Sequence, residues 1–156
     1  MSMLGEREPW NAGGSGLLSA ARLVREVTTV LSRKARPGRH HIAAGLLTMD
    51  GGCFTAINLV SNLGAASSCA EQAALATALQ ATTSPITLVV SLRATFDQAR
   101  RNEIIPPCGR CRELLLEYAP SADVVLAARA CEPPFTITPI TELLPFPFRR
   151  RRGGHG

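Results

Sequence analysis

Residues 67–92 read SSCAEQAALATALQATTSPITLVVSL, and this stretch decides the fold. Ser67 or Ser68 can cap a helix by accepting from its unpaired first N–H groups. Alanine, leucine and glutamine then carry that helix from about Cys69 to Gln80. The segment TTSP stops it, because the residue before a proline is pushed out of the helical region. PITLVVSL follows as an unbroken apolar run, which is how a strand covered on both faces reads.

Downstream, PPCGRCRELLLEYAP predicts a second helix over about Cys108 to Tyr118, and ADVVLAA predicts another strand. PFTITPITELLPFPF predicts a short edge strand and a last helical turn, both interrupted by proline. Upstream, HHIAAGLLTMDGGCFTAINLV predicts a β-hairpin, with Asp50-Gly51-Gly52 supplying the positive-φ residues of a tight turn. From Leu17 to Leu31, apolar residues at Leu17, Leu18, Ala21, Val24, Val27 and Leu31 have amphipathic spacing, and ARPGR ends that helix. The element order predicts an α/β fold, a three-layer α/β/α sandwich around a mixed five-stranded sheet. Residues 1–16 read as a loose lead-in, 17–148 as one domain and 149–156 as a basic, Gly-rich tail.

At 156 residues with 46% hydrophobic content, the chain can bury a real core. Aromatic residues are only 4%, which argues against a surface that stacks many nucleic-acid bases. The net charge of +5 is largely local: without Arg149–Arg152 there remain 13 basic against 12 acidic residues. A nucleic-acid partner is therefore not expected, although that tail is the feature on which an RNA- or DNA-binding module would rely. No apolar run reaches the roughly 18 residues of a membrane span, so no membrane association is expected. The N-terminus lacks the basic start and apolar centre of a secretory leader, and the expected location is cytoplasmic. Five cysteines, two of them as Cys-x-x-Cys, favour metal or redox chemistry over structural disulfides in that setting.

Cys69, Cys108 and Cys111 are candidates for one zinc site, since catalytic zinc takes three protein ligands and keeps one position for water. Helix N-termini favour thiolates and offset their charge, and Arg112 is a candidate for a further positive charge nearby. Glu71, two residues beyond Cys69, is a candidate proton carrier that relays a proton from water to a substrate nitrogen. Two other readings stand beside this one. A structural zinc knot would need His40, His41 or His155 as fourth ligand, and none has the usual short spacing. A redox role for Cys108 and Cys111 would leave Cys69 and Glu71 unexplained. Cys53 and Cys131 read as small packing residues rather than ligands.

Cys69-Ala70-Glu71 and Pro107-Cys108-Gly109-Arg110-Cys111 together resemble the cytidine deaminase family, including its blasticidin S deaminase branch. The similarity extends to MDGGCFTAIN and to ITELLPFPF, and runs in the family's order from about Ala35 to Phe148. The resemblance implies zinc-dependent hydrolytic removal of the C4 amino group of a cytosine nucleoside, with Glu71 as the catalytic carboxylate. It also implies a homotetramer, with LPFPF reaching a neighbouring site, and leaves open a role in pyrimidine salvage or in antibiotic resistance. Asn58 takes the place of a sugar contact, the backbone around Ala70 that of a pyrimidine contact, and Phe54 matches the family's phenylalanine as a further substrate contact. His40 stands where the family has an aromatic residue that stacks on the base.

Three departures stand out. Val60 occupies the position of the family's ribose-binding glutamate, and Gln72 that of an arginine often found after the catalytic glutamate. The spacing from Asn58 to Cys69 fits the cytidine enzymes better than the blasticidin enzyme. The resemblance therefore leaves open a cytosine nucleoside antibiotic such as blasticidin S, or a modified cytosine derivative, as the alternative substrate.

Overall fold

A computed structural model describes residues 15–97, 102–128 and 134–148 of the chain. Cys131, His155 and Arg149–Arg152 lie outside the described residues. The elements are α1 (Ser15–Lys34), β1 (Ile42–Thr48), β2 (Cys53–Ile57), α2 (Ala70–Ala81), β3 (Ile86–Arg93), β4 (Glu103–Ile105), α3 (Gly109–Tyr118), β5 (Asp123–Ala127), β6 (Phe135–Pro139) and α4 (Ile140–Leu143).

The sheet runs in the order β2-β1-β3-β5-β6, and it is mixed. β1 is antiparallel to both β2 and β3, β3 is parallel to β5, and β5 is antiparallel to β6. These are the five expected strands. A sixth, β4, was not expected; it pairs antiparallel with the end of β3 through Ser91↔Ile105, Leu92↔Ile104 and Arg93↔Glu103. β4 and β5 share one edge of β3: β5 takes Leu88 and Val89, and β4 takes the last three residues. The hairpin turn is as predicted, with Gly51 at φ 87°.

One face of the sheet is covered by α1, whose Leu23, Val27 and Leu31 pack with Ala43, Leu88, Val90 and Leu92. Of the expected stripe only Val27 and Leu31 are fully buried, while Leu17 and Leu18 are exposed. The helix is turned so that Ala20 and Leu23 face the sheet instead. Gly45 of β1 explains the fit: a Cβ there would lie 2.5 Å from Val27 Cγ2 and 2.8 Å from Leu23 Cδ1. The bare glycine is what admits those two side chains to the strand.

The other face carries α2 and α3, with Ala70, Ala74, Leu75, Ala78 and Leu115 packed against Ala44, Leu46, Val89 and Val124. Ala70, Ala74 and Ala78 recur every four residues and are fully buried. Such a row of small side chains lets a helix lie close against a sheet. Its consequence is local: α2 lies against β1 and β2, and its first turn brings Glu71 within hydrogen-bonding reach of Ser91 near the end of β3.

Candidate active site

The N-termini of α2 and α3 meet above the ends of β2, β3 and β4. Cys69 is the N-cap of α2 (φ −70°, ψ 150°) and Cys108 the N-cap of α3 (φ −66°, ψ 167°). The expected cap, Ser67 or Ser68, is displaced from that role. Ser67 Oγ instead accepts from Ser61 N at 3.0 Å, and Ser68 Oγ donates to Gln72 Oε1 at 3.3 Å. The prolines at 106 and 107 hold the approach to Cys108 extended, which stops α3 from starting earlier. Cys111 follows one turn into α3 and is buried.

The three predicted ligand atoms lie within 4.8 Å of one another, and the Cys69 and Cys108 sulfurs are 3.8 Å apart. Sulfurs about 2.3 Å from a tetrahedral ion stand about 3.8 Å apart, so this pair fits zinc. The surrounding charges fit as well. Burial pushes the Cys111 thiol up, and the nearby Glu71 carboxylate pushes it further. Burial also opposes ionisation of Cys108, but the Cys111 backbone N–H and the thiols of Cys111 and Cys69 outweigh it and lower its pKa. Thiols crowded against a buried carboxylate ionise together only beside a cation, and soft sulfur donors select zinc among the common divalent ions.

Glu71 is buried on the first turn of α2, and its Oε1 accepts from the hydroxyl of Ser91 at 2.9 Å. Ser91 was not singled out by sequence reasoning. Its one signal is being, with Thr87, one of two hydroxyls inside the apolar run PITLVVSL.

A cleft of about 270 Å³ opens onto these groups. Cys69, Ala70, Glu71 and Cys108 form its inner wall. Ile42, Asn58, Leu59, Val60, Ile105 and Pro106 form its sides, and Arg110 stands at its edge. Val60 thus presents an aliphatic side chain to the cleft, 41% exposed.

Asn58 reaches the cleft wall, but most of its amide is engaged. Oδ1 accepts from His41 N and Ile42 N at 3.0 and 2.9 Å, and Nδ2 donates to Arg39 O at 3.2 Å. It therefore fastens the end of β2 to the start of β1, with one N–H left over. His40 and Phe54 are not among the lining residues. His40 Nδ1 is 3.0 Å from the Asn58 carbonyl and, as donor, braces that same corner. Phe54 pairs with Leu46 within the hairpin and packs against the α2-side core, on the strand rather than in the cleft.

Arg112 does not reach the sulfurs. Its Nε donates to Pro107 O at 2.8 Å and its Nη1 to Leu143 O at 3.2 Å, tying the α3 entrance to the end of α4. The positive charge comes from Arg110, which sequence reasoning passed over. Arg110 Nη2 lies 3.9 Å from Cys69 Sγ and donates to Gln72 Oε1 at 3.2 Å. Gln72 therefore supplies no charge of its own but holds one in place. Cys53 lies on β2, packed against the α1-side core and away from the sulfurs, as expected of a packing residue.

No family model matches the chain. It is 28% identical over 130 residues to a blasticidin-S deaminase from Bacillus cereus, covering 82% of this chain and 91% of that one. Its fold matches the crystal structure of a cytidine deaminase from Burkholderia pseudomallei with a TM-score of 0.66 at 26% identity, over 82% of this chain and 98% of the other. In sequence and in fold, this chain is similar to cytidine and blasticidin-S deaminases. The fold of a cytidine deaminase from Bacillus anthracis also superposes, with a TM-score of 0.67 at 20% identity over 81% of this chain and 86% of that one. Beside this likeness to cytidine deaminases, the cleft of this chain has an aliphatic wall at Val60, a buried serine bonded to Glu71 and a charge delivered by Arg110.

Proposed function

We propose that this chain is a zinc-dependent aminohydrolase that converts a cytosine nucleoside or close analogue to its uracil counterpart and ammonia. The observation that carries this reading is the buried Glu71 carboxylate on the same cleft wall as Cys69 and Cys108, with Cys111 behind them. Cys69, Cys108 and Cys111 would hold the zinc. Bound there, it would supply Lewis acidity that makes water nucleophilic near neutral pH.

This chain's own groups do the rest. Glu71 accepts one proton from the attacking water and passes it to the ring nitrogen. It then takes the second from the new C4 hydroxyl and passes it to the leaving amine, so that ammonia departs as the C4 carbonyl forms. Both transfers are within reach of a carboxylate on the cleft wall. The aliphatic side chains of Ile42, Leu59, Val60 and Ile105 lower the polarity around that exchange. Arg110 offsets the thiolate charge beside Cys69. Ala70, at the first turn of α2, offers backbone groups to the pyrimidine edge, and Asn58 keeps one N–H for the sugar. In solution we expect a homotetramer: Phe146 and Phe148 are 92% and 81% exposed, apolar surface that a second copy would cover. No helix among the described residues is long and apolar enough to cross a membrane, and the expected setting remains the cytoplasm.

Val60 favours a second substrate. With an aliphatic group where a hydroxyl-binding carboxylate is expected, the cleft suits a cytosine compound with an altered sugar, such as blasticidin S, at least as well as cytidine. A panel of cytidine, deoxycytidine, methylated cytosines and blasticidin S decides between them, read by loss of cytosine absorbance and by ammonia. Rapid turnover of cytidine and deoxycytidine alone removes the second reading.

A further inference from the structure

We propose that Ser91 is a positioning residue that fixes the orientation of the Glu71 carboxylate and reserves one of its oxygens for proton transfer. The inference rests on the deaminase reading above. Ser91 is completely buried within β3. Its backbone pairs with Ala44 of β1 on one side and with Ile105 of β4 on the other. Its hydroxyl is thus anchored to the middle of the sheet, not to a loop.

From there Oγ donates to Glu71 Oε1 at 2.9 Å. Among the described residues this is the hydrogen bond that the Glu71 side chain makes. A carboxylate shuttle must be ready at the same place whether charged or neutral. When Glu71 is ionised, Oε1 accepts the Ser91 O–H. When Oε2 has taken the proton from water, Oε1 is a carbonyl oxygen and still accepts. The proton arrives on Oε2 and leaves from Oε2 to the substrate nitrogen, while Oε1 stays tethered through both halves. An untethered glutamate would rotate between rotamers and present either oxygen, spending part of its time out of reach.

The test compares Ser91→Ala, Ser91→Thr and Glu71→Gln, with the double variant Ser91→Ala/Glu71→Gln, using the nucleoside that the panel shows to be turned over fastest. Hydrogen bonds to charged groups are strong enough that Ser91→Ala should lower kcat roughly tenfold to a hundredfold, with KM unchanged. Zinc content and thermal midpoint should stay near the wild-type values, because alanine fits the same space. Ser91→Thr keeps a hydroxyl and should recover most of kcat. In the Glu71→Gln background, Ser91→Ala should change the residual rate no further.

Unchanged kcat in Ser91→Ala, with Glu71→Gln inactive, overturns the positioning role and leaves the deaminase reading intact. An equal loss on both backgrounds also overturns it, since Ser91 would then act independently of Glu71. If no nucleoside in the panel is deaminated, both readings fall together.

Discussion

The sulfurs of Cys69 and Cys108 stand 3.8 Å apart although 39 residues separate them in the chain. Each is the N-cap of a helix, so the mouth of one helix presents a thiol directly to the other. Purified protein should carry about one zinc per chain. Removing it with a chelator should lower the thermal midpoint on the order of 10 °C, since a ligand at about a thousand times its Kd stabilises by about 4 kcal/mol. Cys111→Ser should reproduce both losses. Full zinc occupancy in that variant would remove Cys111 from the ligand set.

Val60 gives the substrate prediction. Val60→Glu restores a carboxylate facing the cleft and should raise kcat/KM for cytidine roughly tenfold, mostly through KM, the effect of one hydrogen bond to a sugar hydroxyl. Steady-state kinetics on cytidine and on a sugar-modified analogue measure the change. A loss on cytidine would show that the sugar does not lie along Val60.

Gly45 tests the packing that supports the site from the opposite face. A methyl group at Gly45 meets Val27 Cγ2 at 2.5 Å, so Gly45→Ala should destabilise the fold by about 1–3 kcal/mol. Urea unfolding of Gly45→Ala, and of the pair with Val27→Ala, gives the readout. The second substitution makes room and should return part of the loss. An additive pair would mean that the contact is not what excludes a side chain.

The sequence made the frame of this structure readable because its long elements carry strong periods. The five expected strands, the turn at Gly51 and the cysteine helix mouths all stand where their residue types demand. What escaped it depended on neighbours far along the chain. The short β4 owes its existence to the free edge of β3 and carries no period of its own. The rotation of α1 follows from Gly45, invisible to a helix read alone. Arg110 and Arg112 are equally plausible partners for the sulfurs until the carbonyls of Pro107 and Leu143 claim Arg112. His40 and Phe54 fell on expected positions by resemblance, but packing draws one to Asn58 and the other into the hairpin core.

The central claim is that Glu71 moves the proton in a hydrolytic deamination. It is tested most directly by measuring ammonia released from the preferred cytosine substrate by wild-type and Glu71→Ala proteins, both confirmed to hold zinc and to fold. The account predicts stoichiometric ammonia and uracil product from the wild type, and a rate lower by about 10²–10⁴ in the variant. A zinc-loaded Glu71→Ala protein that releases ammonia at the wild-type rate would contradict it.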